Sequence, residues 1–415
     1  MPSQTTRRAF LRSASAGAAL SMTALSYGRI VGANQRLSIG VIGCGSQGFR
    51  THMHGLHRHA QAMNLEITAV ADPWRLMRER AAEQTRQWFG RPARQFVSYR
   101  DLVALDDVDA VTIASCDHQH ELHLTAVVES KKDVYVEKPL GMDFEKVKAA
   151  CDAVKASGVV CQVGTQRRST PTGASCRELF RTGVFGKISR IEQCRNAAQP
   201  YWYSRLAEAE RRDVDWAEFL MDRPMRPFCP HQFTGWYGYR EFSDGPVPGL
   251  GSHFIDLIHY VTGAQYPVSA VCEGGTFTWQ DQYAFTCPDQ VQATWVYPEG
   301  FLVSYSTNFG SPAGNVYRFY GADGVLDLTN WAQPTYTTGS ASRTAAPGTG
   351  QPVELTEPDD HYLDWLKCIR DRGTCVAPIE AGYQHAVAVL MAVKAFDQGK
   401  RQVYNPETRE IRPES

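Results

Sequence analysis

The twelve residues Leu37 to Gly48, LSIGVIGCGSQG, constrain this chain more than any other stretch. An apolar run breaks into Gly43, Gly45 and Gly48 at G-x-G-x-x-G spacing, the pattern of a first strand turning into a helix in a dinucleotide-binding unit. The first glycine allows a tight turn, the second lets the backbone approach a pyrophosphate, and the third lets the helix pack close to the strand. Main-chain N–H groups at the helix start, those of Ser46 and Gln47 among them, face the phosphates, aided by the helix dipole. The next strand-like run, LEITAVAD, ends in Asp72, 24 residues past Gly48 (72 minus 48). That is near the offset of roughly 20 at which a carboxylate meets the ribose hydroxyls. A carboxylate there repels a 2′-phosphate and favours NAD. Arg75 beside it could pair with such a phosphate, so NADP stays open.

At 415 residues the chain is long enough for two domains with separate cores. Its 43 basic and 44 acidic residues nearly cancel, which excludes a nucleic-acid electrostatic footprint, and 43% hydrophobic residues exclude a disordered composition. The expected partner is a small molecule, with no nucleic acid. The first 33 residues read differently. The pair Arg7-Arg8, the mild apolar segment Ala14 to Leu25 and the small-residue site Val31-Gly32-Ala33 occur in the order of a twin-arginine export signal. The expectation is a protein exported folded, resident in the periplasm or otherwise outside the cytoplasmic membrane, with no membrane span after signal removal. The eleven cysteines include no C-x-x-C pair and no zinc spacing, so no metal site is expected. Cys161, Cys194 and Cys272 lie in apolar or strand-like runs, which predicts mostly free, buried thiols.

Apolar strands at Leu65 to Asp72, Ala110 to Ser115, Asp133 to Glu137 and Val159 to Val163 alternate with helical patterns at Pro73 to Phe89, His120 to Ser130 and Phe144 to Ser157. That alternation predicts a parallel sheet covered on both faces, over residues 34–165. From about residue 166 to 415, strand-like runs at Ile188 to Asn196, Val268 to Phe277, Gln290 to Tyr297, Phe301 to Phe309 and Tyr317 to Leu328 follow one another through turns. They predict an antiparallel meander with one wetter face. Thr335 to Pro352 reads as a low-complexity loop, and helices are expected at His361 to Arg372 and Glu380 to Gly399. An open antiparallel sheet often buries its free face against another subunit, so a homo-oligomer is expected.

In Val134-Tyr135-Val136-Glu137-Lys138-Pro139, a lysine stands at the carboxyl end of a parallel strand, where such sheets bind ligands. Its ammonium can polarise a substrate oxygen; position alone admits an ordinary surface lysine equally well. The run VIGCGSQG, the strand end IASCDHQH, the EKP of Glu137-Lys138-Pro139 and the GTQRRS of Gly164 to Ser169 together resemble the Gfo/Idh/MocA oxidoreductase family, of the exported type, over nearly the whole mature chain. The resemblance implies an α/β protein, with an N-terminal Rossmann domain and a second α/β domain built on a large, mostly antiparallel open sheet. It implies a sugar or polyol held between that sheet and the nicotinamide, Lys138 as a catalytic residue, and Ser115, His120, Glu137 and Gln166 beside the cofactor, with His120, at a helix start beside His118, open equally to purely local hydrogen bonds.

Family members commonly pair the EKP lysine with an Asp-x-x-x-His element. Here the segment reads Gly249-Leu250-Gly251-Ser252-His253, with the histidine present and the aspartate replaced by Gly249. His253 can still exchange a proton near neutral pH, and Asp256 is a candidate for an orienting or substrate-binding carboxylate. Arg167 and Arg168 are candidates for substrate hydroxyls or a carboxylate, or for ordinary ion pairs. Among the aromatic residues between Gln199 and Phe242, Trp202, Trp236 and Tyr237 are the expected sugar contacts. Three functions follow. The first is hydride transfer from a ring hydroxyl to a tightly retained cofactor. The second is redox-neutral glycoside hydrolysis or elimination through a transient keto-sugar, and the third is sugar binding without catalysis.

Overall fold

The protein's structure is a computed structural model, which describes residues 36–339 and 349–414. The export signal expected over residues 1–33 lies outside the described residues. Six parallel strands form the first sheet: β1 (Leu37–Ile42), β2 (Leu65–Ala71), β3 (Arg94–Phe96), β4 (Ala110–Ile113), β5 (Asp133–Val136) and β6 (Cys161–Val163), in the order β3-β2-β1-β4-β5-β6. This is the strand order of a Rossmann fold. The four residues of β4 and of β5 are all buried, as both-face coverage demands. The helix Phe144–Ser157 shows how the covering layer is specified. Asp143 caps it by accepting from the N–H groups of Glu145 and Lys146, Val147, Ala150, Cys151 and Val154 form the buried stripe, and Gly158 ends it with φ +72°.

The second sheet has ten strands: β7 (Ile188–Asn196), β8 (Ser269–Gly275), β9 (Gln290–Tyr297), β10 (Phe301–Asn308), β11 (Val316–Gly321), β12 (Gly324–Asp327), β13 (Thr335–Thr338), β14 (Gln351–Pro352), β15 (Gln402–Asn405) and β16 (Glu410–Pro413). It is mostly antiparallel, yet the simple meander is corrected. β7 inserts between β11 and β10 and runs parallel to β10. The run Tyr317 to Leu328 is two strands, because the backbone turns between Gly321 and Gly324. The loop expected from Thr335 begins instead as β13, paired with β12, and only its middle lies outside the described residues. In β9 the alternation holds: Val291, Ala293, Trp295 and Tyr297 are buried and Gln292 is exposed.

Helices Ser252–Thr262 and Ile379–Gln398 fill the space between the sheets, and Trp295 Nε1 donates to the Ala388 carbonyl (2.8 Å). Each fully buried Val or Leu of this core contributes roughly 1.5–3 kcal/mol. The helix His361–Asp371 returns to the first sheet, placing Tyr362, Trp365 and Leu366 in one cluster with Leu37, Ile39 and Val41. All eleven cysteines are free and eight are buried, in line with the thiol expectation. Among the described residues no helix is long and apolar enough to cross a membrane.

Candidate active site

A cavity of about 650 Å³ opens at the carboxyl ends of β1, β2, β4 and β5, with the second sheet's loops as its far wall. The three glycines divide their labour there. Gly43 has φ +86°, and a Cβ on it would come within 2.6 Å of the Ala114 and Ser115 backbone. A Cβ on Gly48 would land on the Gly43 carbonyl oxygen, whereas one on Gly45 would meet nothing within 4 Å. Gly43, Gly45, Ser46 and Gln47 line the cavity. Gly48, grouped with the cofactor-binding residues by its motif, does not line it, which corrects that grouping; its role is the close packing of helix on strand expected of the third glycine. Gly45 is thus the open floor of a cradle.

Asp72 lines the same end. Its two oxygens accept from the main-chain N–H groups of Cys44 (2.7 Å) and Trp74 (2.8 Å), which leaves lone pairs for ribose hydroxyls. Burial raises its pKa against those two hydrogen bonds. Arg75 is corrected: its guanidinium is held by Asp213 (2.6 Å) and Glu79 (2.8 Å) and does not line the cavity. Arg50, on the turn after Gly48, lines it instead and was missed. The signal was its position in the first turn after the glycines.

Glu137 is the hub beneath the cofactor end. Its Oε1 accepts from Gln47 Nε2 (2.9 Å) and Gln166 Nε2 (2.7 Å) and lies 3.0 Å from His52 Nε2. Burial pushes this carboxyl up, but the His52 contact, the Lys138 charge and the Gln47 hydrogen bond outweigh burial and hold it at about 2. A Cβ on Gly164 would approach its carboxyl carbon to 2.7 Å, which explains why the GTQRRS turn opens with glycine. Gln166 is corrected, since it braces Glu137 and Tyr135 from behind and does not reach the cavity. His120 borders the cavity with both ring nitrogens already facing carbonyls, those of Pro139 (2.7 Å) and Ser115 (3.1 Å), so neither is left for a ligand. Ser115 also lines the cavity, its Oγ 2.9 Å from His123 Nδ1.

Lys138 and His253 open on the same space. Lys138 Nζ donates to the Gly249 carbonyl (2.8 Å), and burial lowers its pKa against the pull of Glu137 and Asp117. His253 is held neutral by burial, with the Lys138 and Arg167 charges adding to it, and its Nδ1 has no hydrogen-bond partner among the described residues. Among the described residues no carboxylate orients it. Asp256 is corrected: fully buried, it makes a two-pronged ion pair with Arg168 (2.7–3.0 Å). Arg168 therefore leaves the substrate candidates too. Arg167 packs over the Trp331 ring (4.6 Å) without lining the cavity.

Trp236 and Tyr237 line the cavity, stacked at 3.6 Å, but Trp202 is 1% exposed within an aromatic cluster and does not. Asp117 was missed; it follows the end of β4, where a parallel sheet presents ligand-binding groups. Its Oδ2 accepts from Ser243 Oγ (2.8 Å), and burial lifts its carboxyl to about 7 against that hydrogen bond and the Lys138 charge. Away from the cavity, Asp364, Cys368 and Cys375 offer ligand atoms within 4.8 Å of one another, yet Asp364 Oδ2 already accepts from Gln162 and the Val376 N–H.

A dinucleotide cradle with an ionisable pair at its far end is the arrangement of a nicotinamide-dependent oxidoreductase. Comparison with known proteins agrees. The oxidoreductase family's NAD-binding Rossmann fold matches residues 37–165, and its C-terminal α/β domain matches residues 221–404. The chain belongs to the Gfo/Idh/MocA oxidoreductase family. It is 30% identical over 151 residues to scyllo-inositol 2-dehydrogenase (NAD(+)) of Bacillus subtilis, covering 35% of this chain and 41% of that protein. It is 26% identical over 247 residues to levoglucosan dehydrogenase of Pseudarthrobacter phenanthrenivorans, covering 57% and 54%. These matches span about half of each relative or less. A levoglucosan dehydrogenase solved in complex with NADH superposes with a TM-score of 0.67 at 17% identity, covering 88% of this chain and 98% of that one, which is a likeness of fold. The cradle fits NAD in its own right: Gly45 leaves the floor clear, Ser46 and Gln47 line it beside the glycines, and Asp72 keeps acceptor capacity.

Proposed function

We propose that this protein oxidises a ring hydroxyl of a sugar, polyol or glycoside. NAD, held by Gly43, Gly45, Ser46, Gln47 and Asp72, supplies the two-electron acceptor. His253, kept neutral, takes the hydroxyl proton, and Lys138 stabilises the charge that develops on the oxygen. Trp236 and Tyr237 offer a flat apolar wall to the sugar face. The observation that carries the reading is that Lys138 and His253 open on the cavity whose floor is Gly45. Names of relatives support the substrate class, since inositol and levoglucosan are a polyol and an anhydrosugar.

Export of the folded chain and a cofactor retained through turnover belong to the same proposal. Outside the cytoplasm free NAD is scarce, so a second sugar would return the hydride. A homo-oligomer formed through the open face of the second sheet completes it. One specific observation favours the redox-neutral variant, in which a glycoside is oxidised, loses its leaving group and is reduced again. Gly249 leaves His253 without an orienting carboxylate, while Asp117, with a pKa of about 7, stands in the cavity as a further proton carrier. The test is to denature the purified protein and assay released NAD, then screen sugars and aryl glycosides. A nicotinamide absorbance change supports net oxidation, and leaving-group release without net reduction supports the variant. If neither appears across the panel, sugar binding without catalysis is left.

A further inference from the structure

Tyr201, at the start of the short turn Tyr201–Arg205, stands against Gly249, the residue whose carbonyl anchors Lys138. Its ring is gripped edge-on by Trp202, Tyr237 and Phe309, with centroids 5.2, 5.4 and 5.8 Å away. The ring lines the cavity, yet its Oη is buried with no hydrogen-bond partner among the described residues. A buried hydroxyl without a partner is unfavourable unless a ligand completes it.

Residue 249 explains where that hydroxyl stands. A Cβ on Gly249 would collide with Tyr201 Oη, and its next neighbour is the Cζ of the same ring at 3.5 Å. Beyond the neighbouring backbone no other atom of the described residues lies within 4 Å, so the phenol alone occupies the space a side chain would need. The carbonyl of the same Gly249 receives Lys138 Nζ at 2.8 Å. Two donors from distant parts of the chain therefore meet at one residue, and the charge of Asp117 reaches both.

We propose, resting on the oxidation of a hydroxyl group described above, that Tyr201 is a third catalytic residue whose Oη joins Lys138 Nζ as a donor to the reacting oxygen, and that residue 249 is glycine to admit it. The substrate's O–H bond breaks with its proton going to His253, the C–H bond breaks with its hydride going to the nicotinamide acceptor, and a C=O bond forms. Between these events the oxygen carries negative charge, and two fixed donors stabilise it more than they stabilise the neutral hydroxyl. Burial, with the Asp117 charge adding to it, lifts the phenol pKa well above its usual value, so Tyr201 keeps its proton throughout and acts only as a donor.

The test uses the full chain loaded with NAD and whichever of myo-inositol, levoglucosan and D-glucose reduces it. Tyr201→Phe is expected to lower kcat roughly 10²–10³-fold, the usual effect of losing one such donor. KM, NAD affinity and melting temperature should stay near wild type. Gly249→Ala is expected to cost a similar factor by displacing the ring, and the double variant should be no worse than either single one. A Tyr201→Phe kcat within twofold of wild type, or single losses that multiply in the double variant, would overturn the proposal. If none of the sugars reduces the wild-type protein, the functional reading fails. The catalytic role of Tyr201 falls with it, and a crystal structure of Gly249→Ala then tests the steric half alone: Oη displaced from the cavity supports the role given to residue 249, and Oη in place overturns it.

Discussion

The Lys138 ammonium donates to the Gly249 carbonyl across 2.8 Å, tying the segment after β5 to the approach of the helix that carries His253. This contact aims a shielded cation across the seam between the two sheets. Lys138→Met should leave NAD binding within a few fold of wild type and lower turnover on the order of 10²–10⁴-fold. Titration calorimetry with NAD and steady-state kinetics check the two halves separately.

The glycine cradle separates folding from binding. Gly45→Val adds a side chain where a Cβ meets nothing within 4 Å, so it should fold with near-normal melting and bind NAD at least tenfold more weakly. Gly48→Ala drives a methyl into the Gly43 carbonyl and should destabilise the protein itself, by about 1–3 kcal/mol. Thermal melting with and without NAD distinguishes them.

The Arg168–Asp256 pair tests whether these residues brace the fold or touch substrate. Both side chains are buried, at 8% and 0% exposure. Asp256→Ala leaves a buried guanidinium without its partner and should cost about 3–5 kcal/mol, read as a shift in the urea midpoint. The double replacement Arg168→Leu/Asp256→Leu should cost less than Asp256→Ala alone.

Much of this was legible in the sequence because periodicity and glycine chemistry are local. Strand β7 spans Ile188–Asn196 as expected, and the roles of Gly43, Gly45 and Gly48 follow from spacing. The insertion of β7 beside β10 was not legible, since pairing order is settled by packing of distant segments. The same limit explains the site errors. Arg75, Gln166 and Arg168 look like free polar groups until Asp213, Glu137 and Asp256 arrive from elsewhere in the chain. Asp117 was passed over beside His118 and His120. His118 is a core residue, its Nε2 2.9 Å from the Phe219 carbonyl and its pKa lowered to about 3 by burial.

Asp117 gives a pH prediction with a definite sign. Its folded pKa of about 7 lies above the unfolded value of 3.8, so the neutral carboxyl is favoured by folding. That contribution is fully present below pH 3.8 and is lost as pH rises through 7. Asp117→Asn should therefore gain stability relative to wild type between pH 4 and pH 8, by up to about 4 kcal/mol. It should also lose any limb near pH 7 in the kcat/KM profile. Denaturant midpoints of the two proteins across that range check the stability half.

The destination of the substrate's hydride tests the proposed chemistry most directly. A sugar deuterated at the oxidised carbon, mixed with the NAD-loaded protein and followed by mass spectrometry of the released nucleotide, should place one deuterium on the nicotinamide ring. The transfer should be absent in Lys138→Met. A protein that binds no nicotinamide nucleotide, or that converts the sugar while leaving the nucleotide unlabelled throughout turnover, would contradict it.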